Sequence, residues 1–250
     1  MAQEARLVIV IDSERAKRTA QDLSVELDSI TKKGDFASKS MDRMSVATRA
    51  LAGYMAGLVT VSSAISKMDT YTGLQNRLKL VTNNQVELNK ATEDTFRIAQ
   101  KTYSAWDSVL QVYQRFSDNA KTLNLTMDDT ARLTETVSKA VAISGQAQKR
   151  DAALVQFGQA LASGTLRGEE LNSVMEQTPA LAKAIAKGMG ITVGELRSVA
   201  AEGKITSQEI VKALRNVESD VDALFAKTDI TIGQSLTLLN NEITKFVGEA

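Results

Sequence analysis

The sequence predicts an all-α protein with one short N-terminal strand, in which long, partly coiled-coil-like helices precede a compact module of short helices. Three observations support this fold class. The 250 residues include a single proline and 4% aromatic residues. Apolar residues recur at helical spacing through most of the chain, and residues 74–144 contain neither glycine nor proline. Because glycine and proline are the strongest helix breakers, we expect long helices with few interruptions.

The charge balance and the missing residue types exclude many functions. Lysine and arginine total 30, aspartate and glutamate total 30, and there is no cysteine or histidine. A protein that binds nucleic acid normally carries a basic surplus, so we expect no sequence-specific nucleic-acid partner. Disulfides, thiolate nucleophiles, Cys/His metal sites and imidazole catalysis are all excluded. We therefore predict a protein that is not an enzyme and uses no cofactor or metal.

The length of the chain is typical of one or two domains, and we divide it into three segments, 1–68, 69–144 and 145–250. In the first segment, β-branched residues predict a strand over 6–11, which is too short for the core of a signal peptide. An apolar stripe at heptad spacing then runs from Ala16 to Ile65. Either a coiled-coil seam or two amphipathic helices broken near Gly34 would produce this stripe.

Residues 50–66 are uncharged and lie between Arg49 and Lys67. Gly53 and Gly57 form a G-x-x-x-G pattern, whose spacing allows two apolar helices to approach closely. As a helix the segment would extend about 26 Å, slightly less than a membrane core. Three interpretations fit: a buried or self-associating helix, a segment that inserts into a membrane only under certain conditions, and a permanent membrane span.

The second segment, 69–144, is predicted to be a bundle of long helices. Ser104 with Asp107, and Thr126 with Asp129, have the spacing of helix-starting capping boxes. The aromatic residues between these starts recur at helical spacing, which favours a packed core over a ligand-binding surface.

The third segment, 145–250, contains frequent helix-terminating signals. Ser163-Gly164 predicts a helix end, Thr178-Pro179 a helix start, and Gly188 with Gly190 the end of that helix. A small repeat follows, because Ile191-Thr192 with Glu195 is echoed fourteen residues later by Ile205-Thr206 with Glu209. Both copies are predicted to form capping boxes, and Gly203 ends the helix between them.

No residue pattern indicates catalysis. Glu169, Glu170 and Glu176 lie in one predicted helix, where acidic pairs are common on exposed surfaces. The glycines of residues 188–194 are spaced one residue too far apart for a dinucleotide-binding fingerprint, and no strand precedes them. These residues are therefore predicted to have structural roles.

Residues 159–182, with the sequence QALASGTLRGEELNSVMEQTPALA, resemble the signature block of phage tail tape measure proteins. The resemblance continues to Phe246, and residues 74–82 and 140–145 are similar to the N-terminal domain of that family. The signature residues are Gly164, Leu166, Arg167, Gly168, Glu169, Glu170, Leu171, Met175, Pro179, Gly188, Gly190, Thr192, Gly194, Glu195, Gly203 and Thr206. Within this block, Gly164, Gly168, Gly188, Gly190 and Gly203 are expected at turns.

The resemblance implies a structural protein of a long, non-contractile phage or prophage tail. Such proteins lie in the lumen of the tail tube, set the tail length, and leave ahead of the DNA at infection. The implied partners are the tail tube protein, tail assembly chaperones and the tail tip complex, with self-association and possible host membrane contact. The implied locations are the virion tail lumen and, during assembly, the host cytoplasm.

Chain length is central to this implied function. A fully helical chain of 250 residues would extend about 375 Å, whereas family members are usually several times longer. We therefore expect residues 1–250 to be the N-terminal region of a longer protein. The alternative function is that of a membrane-active α-helical protein, of the pore or translocator kind, which would depend on residues 50–66.

Overall fold

The computed structural model describes residues 61–144 and 147–249, and this part of the chain is almost entirely helical. The elements in chain order are α1 (Val61–Lys79), α2 (Gln85–Lys101), α3 (Trp106–Asp118), α4 (Ala120–Leu123), α5 (Met127–Ile143), α6 (Ala147–Ser163), β1 (Thr165–Leu166), α7 (Gly168–Gln177), α8 (Pro179–Met189), α9 (Val193–Ala201), β2 (Ile205–Thr206), α10 (Ser207–Phe225) and α11 (Ile232–Glu249). The predicted all-α class is confirmed.

Several predictions fall outside the described residues. These are the strand at 6–11, nearly all of the apolar stripe, and most of the uncharged segment 50–66, including Gly53 and Gly57. Among the helices that the structure describes, none is both long enough and apolar enough to cross a membrane.

The helix starts follow the predicted capping residues, with one correction. Thr126 caps α5 with a full capping box, since its hydroxyl accepts from Asp129 N–H and its own N–H donates to the Asp129 carboxylate. A helix begins within residues 104–107, as predicted, but the predicted capping residue is wrong, because Ala105 and not Ser104 is the N-cap of α3. The Ser104 hydroxyl instead forms a hydrogen bond of 3.1 Å with Thr102 Oγ1 in the preceding turn.

The contacts divide the chain into two compact units, and the larger unit is Leu74–Leu238. Its aromatic residues are core, as predicted. Trp106 is 2% exposed, packs edge-on against Phe96 with ring centres 5.1 Å apart, and donates from Nε1 to Thr95 Oγ1 at 3.0 Å. Tyr113 and Phe116 are also fully buried.

One hydrophobic cluster of the larger unit includes residues from both sides of residue 144. Phe116 and Val137 lie before that position, and Phe157, Ile185 and Leu214 lie after it. The second and third predicted segments therefore pack together in one core. The domain boundaries drawn from the sequence stay a prediction, because a shared core does not show which segments fold alone.

The described residues of the smaller unit are 61–73 of α1 and 239–249 of α11. The Lys67 ammonium donates to the side-chain oxygen of Asn240. Gly248 faces Tyr71 so closely that a Cβ atom there would overlap the tyrosine ring. The two helical segments therefore pack with little space between them.

Candidate functional site

The first and last strands of the signature segment, which we define as residues 159–206, pair with each other. β1 and β2 are antiparallel, with Thr165 opposite Thr206 and Leu166 opposite Ile205. Ser207 N–H donates to the Gly164 carbonyl at 3.0 Å, which extends the pairing by one residue. The two strands therefore close a loop that contains α7, α8 and α9. Sequence analysis missed both strands, because each is only two residues long.

Two glycines terminate the helices that lead into these strands. Gly164 has φ +80° after α6, and Gly203 has φ +68° after α9. This left-handed region strains residues that carry a Cβ atom. The turns predicted at Gly164 and Gly203 are confirmed.

The start of α7 differs from the prediction at Gly168. The turn expected there is wrong, since Gly168 is the first residue of the helix. A Cβ atom at Gly168 would lie 3.6 Å from Ala201 Cα, which is ordinary van der Waals contact with the end of α9. The N–H of Arg167 donates to the Glu170 carboxylate at 3.1 Å, and Glu169 is exposed. These charged residues therefore lie at the helix N-terminus, where carboxylates are favoured.

The side chains of α7 that face inward join the core. Leu171 is fully buried, as is Leu166 of β1. Met175 is half-buried and packs against the hydrophobic cluster. The apolar signature residues thus anchor α7 and β1 to the larger unit.

Helix α8 begins at the predicted residues, but only one of the two glycines predicted to end it does so. Thr178 is the N-cap and Pro179 the first helical residue, where a missing N–H is tolerated. Gly190 ends the helix with φ +72°. The turn predicted at Gly188 is wrong, because Gly188 lies inside α8, against the backbone of Ala213 in α10.

The contact at Gly188 requires the absence of a side chain. A Cβ atom at this position would lie 2.0 Å from the carbonyl oxygen of Ala213. The Asn216 side chain also donates to the Gly188 carbonyl at 3.0 Å. Gly188 therefore permits α8 and α10 to cross with their backbones in contact.

The predicted repeat around Thr192 and Thr206 is confirmed in part. Thr192 and Glu195 form the full capping box of α9. At Thr206 the structure shows the first of the two bonds, from Glu209 N–H to the threonine hydroxyl at 3.2 Å. Gly194 is exposed in the first turn of α9, and a Cβ atom there would meet nothing closer than 3.9 Å.

An ionic cluster that sequence analysis missed joins α2, α5 and α10. The Lys139 ammonium lies 3.0 Å from Glu135 and 2.7 Å from Asp222, and Lys101 pairs with Glu135 as well. Lys139 is 6% exposed. The i, i+4 spacing of Glu135 and Lys139 could have indicated half of this cluster, but nothing in the sequence indicates the contact with Asp222.

Two opposing effects set the pKa values in this cluster: burial disfavours the charged forms, and neighbouring groups of opposite charge favour them. Burial alone would raise the pKa of Glu135, but hydrogen bonds and charge from Lys101 and Lys139 lower it to about 2. Burial would lower the pKa of Lys139, yet Asp222 and Glu135 raise it above its usual value. Both groups are therefore held in their charged forms, which links the three helices.

The described residues contain no group of three or more acidic side chains placed to hold a metal ion. Most of the signature residues end helices, cap them, anchor them in the core or let them cross, whereas Glu169 and Gly194 are exposed. The fold and these contacts define a helical structural module.

The family follows from comparison with known proteins. A family model described as "Tape measure protein" matches residues 62–250. The chain belongs to the tape measure protein family, and it is a structural protein associated with the phage tail. Comparisons with curated proteins and with solved structures found no match.

Proposed function

We propose that this protein scaffolds assembly of the tail tube from the lumen, sets the tail length, and leaves the tube ahead of the DNA at infection. The observation that carries the proposal is the family match over residues 62–250. The structural roles of the signature residues, from Gly164 to Thr206, are in keeping with it. A molecule that acts by occupying length needs stable helices and partner surfaces, and it needs no catalytic group.

The proposed partners are the tail tube protein, the tail assembly chaperones and the tail tip complex. Self-association would involve the apolar stripe from Ala16 to Ile65, whose heptad spacing suits helix pairing. The protein would reside in the host cytoplasm during assembly and in the lumen of the tail afterwards.

Release from the tail can be measured directly. Purified virions of the parent phage are digested with protease before and after ejection is triggered, and peptides of this chain are quantified by mass spectrometry. A lumenal protein that leaves with the DNA is protected before ejection and lost from the emptied particles afterwards. Digestion before ejection, or full retention after it, would contradict the proposal.

Membrane contact is a second candidate function, and the uncharged residues 50–66 favour it. Flotation with vesicles of phosphatidylethanolamine and phosphatidylglycerol would test it, with Gly53→Leu as a variant that disrupts the G-x-x-x-G spacing. The candidate function predicts flotation of the native chain. Absence of flotation for both proteins would remove it.

A further inference from the structure

An apolar groove opens on the surface of the larger unit between α5, α8 and α10. We call it the α8 groove, and its volume is about 380 Å³. Its apolar lining includes Ala140, Ile143, Ala180, Ala184, Val221 and Leu224. Leu224 is 52% exposed, so solvent reaches a large apolar side chain at the edge of the groove.

The shape of the groove follows from the helix crossing described above. α8 and α10 touch at Gly188 and Ala213. The lining residues that these two helices contribute lie to one side of that contact, at 179–187 and 217–224. The end of α5 forms the third wall, where the Ser144 hydroxyl accepts from Ala180 N–H at 2.8 Å. Alanine side chains line much of this space, so it is left unfilled.

The rim of the groove is basic on the side of α8. Lys183 and Lys187 are one helical turn apart and both are exposed. Lys187 pairs with Asp220 at 3.1 Å across the rim, in an exposed pair of the kind that contributes little energy. Lys183 makes no ion pair with any residue that the structure describes. The rim therefore keeps a positive charge that an acidic partner would neutralise.

We propose that the α8 groove binds an acidic amphipathic α-helix of another protein. Two apolar side chains of that helix, spaced i and i+4, would enter the groove between Ala184 and Leu224, and a carboxylate beside them would pair with Lys183. The walls are helices whose backbone groups are already bonded, so they offer no sheet edge to an extended peptide, and helix-in-groove binding is the mode that fits. Of the signature residues, Pro179 at the start of α8 lines this surface.

Selection from a peptide library tests the proposal. Helical peptides with two fixed apolar positions and randomised flanking positions are displayed and selected against the full chain. The proposal predicts that the enriched peptides carry aspartate or glutamate beside the apolar pair, and that salt weakens their binding. Enrichment of basic or uncharged peptides would overturn it.

Three variants locate the binding site. Ala184→Trp should fill the groove and abolish binding, and Lys183→Glu should weaken it by about three- to tenfold. Lys212→Glu, an exposed change elsewhere on α10, should leave binding unchanged. Peptides that bind all three variants equally would overturn the proposal. Since Lys183 is exposed, its variant remains decisive even if Ala184→Trp fails to fold.

Two other occupants of the α8 groove, a second copy of this chain and a lipid, would give different experimental results. A second copy of this chain would be revealed in analytical ultracentrifugation by self-association that Ala184→Trp removes. A lipid would be revealed by vesicle binding that the same variant removes. Either result, without acidic peptide binding at the groove, would contradict the proposal.

Discussion

At the scale of single residues, Gly188 shows that a glycine near a helix end can serve either to form a turn or to allow a close helix contact. Gly188 and Gly190 lie two residues apart near a helix end, and from the sequence both were expected to form the turn. Gly190 has the left-handed backbone that favours glycine, whereas Gly188 is helical and lacks space for a side chain. The distinction depends on α10, a partner helix that local sequence does not reveal.

Gly188→Ala should destabilise the protein, because its Cβ atom would overlap the Ala213 carbonyl. We expect a loss of about 2 kcal/mol or more, equivalent to about 4–8 °C in melting temperature. The matched control is Gly194→Ala, an exposed helical position with open space, where stability should be unchanged or higher by about 0.5 kcal/mol. Equal melting temperatures for the two variants would disprove the close contact.

Glu135 is expected to make the free energy of unfolding depend on pH. Its pKa is about 2 in the folded state and about 4.3 when unfolded. The stabilisation that ionised Glu135 contributes is therefore complete above about pH 4.3 and is lost as the pH falls towards 2. Glu135→Gln should cost about 2 kcal/mol at pH 7 and flatten the dependence between those values. Denaturant unfolding at several pH values measures this, and an unchanged pH profile would exclude the proposed charge pairing.

At the scale of secondary-structure elements, the sequence predicts helix starts where a side chain bonds to the backbone of the same helix turn. Thr126 and Thr192 were both predicted as caps, and both form full capping boxes. Ser104 has the same spacing but is bonded inside the preceding turn. The strands β1 and β2 could not be predicted, because their pairing joins residues far apart in the sequence.

The cap of α9 can be tested with two variants of the same helix. Thr192→Ala should lower stability by about 1 kcal/mol, and the Glu195 amide, which loses its acceptor, should exchange faster with solvent. Ser198→Ala lies on the exposed surface of α9 and should change stability by less than about 0.5 kcal/mol. Indistinguishable effects would mean that the cap contributes nothing to α9.

At the scale of the whole molecule, the described core joins helices that the sequence placed in separate segments. Leu214 of α10 is fully buried in the same cluster as Val137 of α5 and Phe157 of α6. The sequence predicted that such residues would be buried, since they lie on apolar helix faces. Which faces meet depends on tertiary packing, and so the shared core, the Asp222 contact and the α8 groove could not be predicted.

Leu214→Ala should therefore destabilise more than one predicted segment. We expect a loss of about 2–5 kcal/mol, with faster hydrogen exchange in α5 as well as α10. Faster exchange confined to α10 would show that the core on the two sides of residue 144 does not unfold cooperatively. A control at the exposed Lys212 should leave exchange in α5 unchanged.

The central proposal is that this member of the tape measure protein family sets the length of a phage tail. Its most direct test is a four-heptad helical insertion, of about 28 residues, in the apolar stripe between Ala16 and Ile65 of the parent phage gene. If the inserted residues form helix along the tube, tails should lengthen by about 42 Å, measured by electron microscopy against unmodified tails. Tails of unchanged length, assembled with the extended protein inside them, would contradict the account.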